Sequence, residues 1–423
     1  MQRYEKYKDS GVDWIGEVPE HWDMLSNKYI FKLKKNQVGK KSADYELLSL
    51  TLKGIIKRDM ENPEGKFPAE FDTYQEVKKG DFVFCLFDVE ETPRTVGLSD
   101  FDGMITGAYS VFTMIKEADR KYLYYFYLNL DEKKRLKFLY KGLRNTIPKD
   151  SFFNFKTAFP KISEQQTIAT FLDDKTTKID HTIAIKQKEI ELLKERRQVL
   201  IQKAVTKGLN DTVKLKDSGV DWIGEIPEHW EVVKNKTIFK ESKKPGEEDL
   251  PLLSVSIHSG ISDNELSDEE NIRGKIKIED KSNYKLVFKD DIVYNMMRAW
   301  QGAIGSVAVK GLVSPAYVVA TPSTKVFSKF FEYQYRTPIL IEQMNQYSKG
   351  ITDFRKRLYW EEFKQIFTIL PPFEEQISIV NYINKIEIKV SKAISIKQQE
   401  IEKLKEYKMV LIDNVVTGKV RVS

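Results

Sequence analysis

Along residues 163–208 the apolar positions advance in steps of three, four and seven. Ile179 and Ile183 are followed by Ile190 and Leu193, then by Leu200 and Ala204. The same steps return 211 residues later, at Val390 and Ile394, Ile401 and Leu404, Leu411 and Val415. This is the spacing of a coiled-coil seam. Lys186 and Arg197 interrupt the first seam, and Lys397 and Lys408 interrupt the second at matching places. Neither stretch holds Gly or Pro before Gly208 or Gly418, so each predicts one helix of about 40 residues, roughly 60 Å long. A helix with one narrow apolar stripe needs a cover. The other copy is the nearest partner, with a solvated helix or a dimer between chains as the alternatives.

The rest of the chain is also written twice. KDSGVDWIGEVPEHW (Lys8–Trp22) returns as KDSGVDWIGEIPEHW (Lys216–Trp230), identical at 14 of 15 positions. Chance does not produce this, and the chain is a tandem duplication. Gly, Pro and Asp make the segment rich in turns, with Trp14, Ile15 and Trp22 as expected anchors. No His, Cys or carboxylate near His21 or His229 has metal-ligand spacing, so both histidines are read as structural. The repeat continues more loosely. LLSL (Leu47–Leu50) answers LLSV (Leu252–Val255), and KKGDFVF (Lys78–Phe84) answers FKDDIVY (Phe288–Tyr294), each pair a turn running into a strand. DGMITGAYSVFT (Asp102–Thr113) answers KGLVSPAYVVAT (Lys310–Thr321). Two aromatic, helix-like segments follow from Lys121 and Ser328, with Tyr125/Tyr333 and Tyr127/Tyr335 in register as core residues. The copies differ most over 62–75 against 262–277. The expected class is α+β, in the order globular part, long helix, globular part, long helix.

A length of 423 residues allows two or three cores, and 41% hydrophobic residues with 12% aromatics indicate a globular chain. Cys85 stands alone, so no internal disulfide framework forms, which fits a reducing cytosol. No apolar run approaches 18 residues, the first residues lack a signal-peptide core, and the expected location is cytoplasmic with no membrane partner. A net charge of +6 permits nucleic-acid binding without requiring it.

Catalytic signatures are absent from the sequence. There is no phosphate loop, no Gly-x-Ser-x-Gly elbow and no zinc spacing, so neither catalytic nor metal residues are assigned. LPPF (Leu370–Phe373) resembles the Pro-Pro-aromatic motif of amino-methyltransferases, but Leu370 cannot hydrogen-bond a target amino group. The acidic pairs Glu90/Glu91 and Asp290/Asp291 could bind metal for nuclease work, but such pairs more often are turn and surface residues, and they are read so. Binding is better supported. Arg94, Arg144 and Lys149 lie in loop-like stretches of the first copy. Arg298, Trp300 and Gln301 lie in MMRAWQGAIG, and Arg355, Lys356 and Arg357 in FRKRLYW. Arg and Gln can each pair with a base edge through two hydrogen bonds, and further basic groups neutralise phosphates.

The layout as a whole resembles the specificity subunit of Type I restriction–modification systems. The resemblance rests on the duplicated DWIGE-(Val/Ile)-PEHW segments, the GDFVF/DDIVY and AYSV/AYVV stretches, and the exits Glu164–Gln165 and Glu375–Gln376 into paired IKQ-x-EIE-x-LKE helices. It implies target recognition domains at 1–160 and 209–370, each reading half of a bipartite duplex DNA sequence. It implies spacer helices at 161–208 and 371–423, the latter including a C-terminal tail. These would pack antiparallel through Ile179, Ile183, Ile190, Leu193, Leu200, Val390, Ile394, Ile401, Leu404 and Leu411, with pseudo-twofold symmetry. It further implies two modification subunits and the restriction motor/nuclease subunits as partners. S-adenosylmethionine, ATP and Mg would belong to those partners, and no cofactor to this chain. The competing reading is a DNA adenine methyltransferase or nuclease with fused recognition domains, for which no unassigned stretch is long enough.

Overall fold

The computed structural model describes residues 2–59, 70–141, 145–247, 250–257, 260–262, 283–350 and 356–422. Arg144, Arg355 and the greater part of the divergent stretches 62–75 and 262–277 lie outside the described residues. The described helices are α1 (Arg120–Glu132), α2 (Lys149–Asn154), α3 (Ile162–Lys207), α4 (Ser328–Tyr335), α5 (Pro338–Tyr347), α6 (Trp360–Phe363) and α7 (Phe373–Val416). With antiparallel sheets alongside them, the fold is α+β. It divides into two units. One holds Met1–Gln187 and Lys397–Ser423, and the other Lys188–Ile396. The division therefore cuts through α3 and α7 rather than falling at their starts, because part of each long helix packs into the core of each globular part.

In the first unit, an antiparallel sheet runs in the order Phe31–Leu33, Ser110–Met114, Phe82–Phe84, Val96–Leu98. Side chains alternate across a strand. Phe82, Phe84 and Phe112 face α1 and α2, with the Phe84 ring centroid 5.1 Å from Tyr127 and 4.8 Å from Phe152. Val83 and Val111 face the other way, onto Leu48 and Ile55 of the hairpin Leu48–Thr51/Gly54–Lys57. Asp119 caps α1 by accepting from the Tyr122 amide at 2.9 Å. The aromatic residues of α1 are core: Tyr122, Phe126 and Tyr127 are fully buried.

The start of α3 and the end of α7 join this core. Ile179 lies in it with Leu411, Ile412, Val415 and Val416. Lys186 Nζ meets Glu400 Oε2, and Lys408 Nζ meets Asp180, both at 2.7 Å. Numbers rise along α3 as they fall along α7, so these two stretches run antiparallel. Two of the lysines that interrupt the apolar stripes are thus engaged by carboxylates of the facing helix.

Asp413 ties α7 to α1. It accepts from Asn129 Nδ2 and Arg135 Nη1 at 3.0 Å and pairs with Lys133 at 2.8 Å. Burial alone would raise its pKa. Hydrogen bonds from Lys133 and Asn129, with the Lys419 and Arg135 charges, outweigh burial and hold it at about 2, below the usual 3.8. A carboxylate depressed in the folded state stabilises above its unfolded pKa and loses that stability as pH falls through the folded one. Asp413→Asn should therefore cost about 2 kcal/mol at pH 7. The difference from the parent should shrink as pH drops from about 4 towards 2. Thermal melts at stepped pH measure it, and a difference that stayed constant with pH would refute the assignment.

The second unit repeats the sheet with different side chains, in the order Phe239–Ser242, Tyr317–Pro322, Ile292–Asn295, Ile304–Ser306. Ile292 and Tyr294 face the helix side, and Val293 faces Leu253 on the other. Ile201, Ala204 and Val205 of α3 share its main core with Ile379, Val380 and Ile383 of α7.

Matching devices hold both units. Asn27 Oδ1 accepts from Tyr127 and Thr157 at 2.6 and 2.8 Å, and Asn235 Oδ1 accepts from Tyr335 at 2.6 Å. The Gln165 side chain, fully buried at the start of α3, accepts from the Asp119 amide and donates to the Pro160 carbonyl. Gln376 does the same with Phe327 and Pro371. Glu164 and Glu375, one residue earlier, hold His21 at 2.9 Å and His229 at 2.6 Å. Trp22 and Trp230 are fully buried, Ile15 nearly so, and Trp14 half-buried. Gly208 and Gly418, at φ +76° and +73°, end the long helices against Trp230 and Trp22 respectively; a Cβ on Gly418 would come within 2.3 Å of Pro19. Of the ten seam positions, Ile179, Ile190, Ile401 and Leu411 are buried, and Ile183, Leu193, Leu200, Val390, Ile394 and Leu404 are half-buried. No helix of the described residues is long and apolar enough to cross a membrane.

Candidate nucleic-acid interface

In the second unit, the strand Ile292–Asn295 leaves the sheet into a tight loop, Met296–Gly302. Asn295 Oδ1 accepts from the Met297 amide at 2.9 Å. The Arg298 amide donates to the Asn295 carbonyl, and the Gly302 amide to that of Ala299. Ala299 is fully buried, and Gly302 turns at φ +89° close against Ile341 of α5. These bonds fix the loop and direct Arg298 and Gln301 outward, both exposed. Trp300 is half-buried, its Nε1 donating to the Met297 carbonyl at 3.0 Å. Met297, 40% exposed, stands beside it.

Lys356–Leu358 come to the same place. The Leu358 amide donates to the Met296 carbonyl at 2.9 Å. Lys356 Nζ lies 5.6 Å from the Trp300 ring centroid and donates to Asn345 Oδ1 of α5 at 2.7 Å. Arg357 exchanges backbone hydrogen bonds with Lys349. Arg298, Trp300, Gln301, Lys356 and Arg357, which lie 55 or more residues apart in two segments, thus surround one loop. Such a surface offers two outward donor groups for base edges, an indole face and fixed positive charge.

The first unit builds the equivalent loop with other chemistry. The Ile147 amide donates to the Leu86 carbonyl at 2.7 Å, as Leu358 does to Met296. This loop carries exposed Glu90 and Glu91. Glu90 pairs with Lys137 at 2.9 Å, and its amide donates to the Tyr140 hydroxyl. An exposed carboxylate can accept from the amino group of cytosine. The sequence pointed to these two residues as turn and surface groups, with metal binding as the alternative, and not as DNA contacts.

Arg94 requires correction. It is only 9% exposed, with Nη1 3.1 Å from Asp131 and Nη2 2.9 Å from Glu132. Asp131 also accepts from the amide and hydroxyl of Thr95 and from Lys134. Arg94 is an internal strut fixing the strand Val96–Leu98 to α1 and cannot reach DNA. Lys149 is exposed in the first turn of α2, away from these bonds. The acidic pair Asp290/Asp291 is a turn: Asp290 has φ 72°, and buried Asp291 accepts from the Phe288 amide and Thr321. Among the described residues no group of three or more His, Cys, Asp or Glu could hold a metal ion.

No family model matches the chain. Curated relatives match over much of its length. The putative type I restriction enzyme MjaX specificity subunit of Methanocaldococcus jannaschii is 24% identical, over 96% of this chain and 96% of the relative. The MjaVIII specificity subunit of the same organism is 28% identical over 73% and 74%. The Escherichia coli EcoBI specificity subunit is 29% identical over 56% and 54%. A chain solved in work on complex assembly and conformational transition of the type I R-M system superposes with a TM-score of 0.66 at 12% identity, over 95% of this chain and 99% of that one. The HsdS subunit from Thermoanaerobacter tengcongensis gives 0.53 at 13%, over 95% and 98%.

Proposed function

We propose that this chain, which is similar over 96% of its length to one type I restriction enzyme specificity subunit and over part of its length to two more, is a two-module reader of duplex DNA without chemistry of its own. One observation carries the proposal. A single framework, held by the same buried Asn–Tyr bond, Gln bracket and Trp–Gly contact in both units, presents loops of opposite character. Module two offers Arg298, Gln301 and Lys356, and module one offers Glu90 and Glu91. Equal frameworks with unequal loops are what two readers of different half-sites require. The long helices α3 and α7 would serve as spacer and as the docking site for modification subunits. S-adenosylmethionine chemistry would lie in those subunits, and ATP-driven cleavage in a restriction subunit.

The test is selection of binding sites from random-sequence duplexes by the full chain. The expected product is two short fixed stretches separated by unfixed bases, and enrichment of no sequence, or of one continuous stretch, would sink the reading. Arg298→Ala should then relax one position of one half-site at a cost of about 1–3 kcal/mol. Lys356→Ala should weaken all duplexes alike and flatten the salt slope by about one. Equal affinity and slope for parent and both variants would return this loop to ordinary solvated surface.

A further inference from the structure

The hairpin Leu48–Thr51/Gly54–Lys57 of the first unit has an exposed apolar tip. Thr51 pairs with Gly54, so Leu52 and Lys53 alone form the turn. Neither Leu52 nor Lys53 takes a positive φ, which falls on Gly54, so the turn itself accepts ordinary residues. Here the first position is a leucine, 67% exposed, and the second a lysine, also exposed. The tip is rigid. Thr51 Oγ1 donates to the Gly54 carbonyl at 3.0 Å and accepts from the Lys53 amide at 3.2 Å, and Gly54 sits at φ +93°. The stem is clamped as well. Leu50 and Ile55 lie so close over Gly97 that a Cβ there would stand 2.7 Å from each.

Lone exposed leucines are common and need no explanation. This one has three further properties. The ten residues of the hairpin carry two lysines and no carboxylate. The divergent stretch 62–75 begins five residues after it. The second copy keeps the order of residue types in a longer connection of three residues, 257–259, of which Ile257 is half-buried and 258–259 lie outside the described residues. Val255–Ser256 pairs with Gly260–Ile261, an apolar Ile257 follows Ser256 as Leu52 follows Thr51, and a basic His258 is next in sequence, itself outside the described residues. Gly305, the counterpart of Gly97, again lets the hairpin lie against the strand, with Ile261 about 3 Å from where its Cβ would be. An apolar residue followed by a basic one, on a stiff hairpin without negative charge, suits a duplex. Proteins that kink DNA drive apolar side chains between base steps while basic neighbours hold the flanking phosphates.

We infer that Leu52 is an apolar wedge that enters one base step of the duplex bound by the first unit, with Lys53 on an adjacent phosphate. This rests on the duplex-reading function proposed above. The experiment uses the full chain and the duplex recovered by the selection just described, carrying 2-aminopurine at successive positions. The parent should brighten the probe at one step, in the half-site that responds to the first unit. Leu52→Ser should abolish the brightening and weaken binding roughly tenfold to hundredfold, with the salt slope unchanged. Leu52→Met should restore both, since it keeps an apolar side chain of similar reach. Lys53→Ala should keep the brightening and lower the salt slope by about one. Leu52 is largely outside the core, so the thermal midpoint of all variants should match the parent. No brightening at any position with the parent, or equal brightening and affinity with Leu52→Ser, would overturn the wedge while the selected duplex still upholds the reading. Loss of modification-subunit binding alone would overturn it in favour of a protein contact. Failure to select any duplex would remove the reading and the wedge together.

Discussion

Asp131→Ala is expected to lower the unfolding free energy by about 3–5 kcal/mol, the scale for breaking a buried ion pair from one side. Asp131 is 2% exposed and accepts from Arg94, Lys134 and both the amide and hydroxyl of Thr95. Without it the Arg94 guanidinium keeps only Glu132, and the Thr95 amide is left buried without its acceptor. Arg94→Ala should cost less, because Asp131 retains three donors. Urea unfolding measures both losses. The Arg94 variant also settles its role in a second way: at a temperature where it remains folded, its salt slope for duplex binding should equal the parent's. A slope reduced by about one, with stability unchanged, would restore Arg94 to the DNA surface.

Module exchange should give the largest functional change. Replacing the first module by that of a relative should change one half of the selected target and leave the other half as it was. Each mismatched pair costs about 1–3 kcal/mol, so three of them amount to about 3–9 kcal/mol against the former target. The packing dictates where the graft must join. The first module grips α3 through Tyr125 OH on Asp173 at 2.8 Å and on Thr176 at 3.0 Å, and through the Asp119 amide on Gln165. It grips α7 through Asn129 on Asp413. A graft of residues 1–160 must bring matching groups at positions 119, 125 and 129, or the module will sit loosely and affinity for both halves will fall. Binding-site selection with the chimera reads the result. Two changed halves would refute independent reading.

What could be read from the sequence was local or repeated, and what could not was remote. The two long helices follow from the lack of Gly and Pro and from a stripe whose ten positions are all at least half-buried. Lys186 and Lys408 looked like flaws in that stripe because their carboxylates, Glu400 and Asp180, lie 214 and 228 residues away. Arg94 looked like a loop cation for the same reason, since Asp131 is 37 residues off. Tyr127 and Tyr335 were placed in register, yet the asparagines they bind were passed over. The signal was available in NKYIFK from Asn27 and NKTIFK from Asn235, a short repeat with a polar first residue. The loop cluster was half legible. MMRAWQG and FRKR each stood out as basic and aromatic, but what brings them together, the Leu358–Met296 hydrogen bond and Lys356 against the Trp300 ring, is tertiary.

The division of the chain into units also bears on how the protein is made. Residues 188–396 form one continuous segment, complete in itself, whereas the unit that begins the chain needs residues 397–422 to close its core through Leu411, Val415 and Val416. On the ribosome, modules usually mature in the order they are synthesised, at about 5–20 residues per second. Here the order reverses. The first-made half must wait some 210 residues, roughly 10–40 s, before its missing helix arrives, and meanwhile its core lacks Leu411, Val415 and Val416. Chains ended at residue 396 and released should present a finished second module beside an immature first one, so slow translation and scarce chaperones would fall chiefly on the module made first.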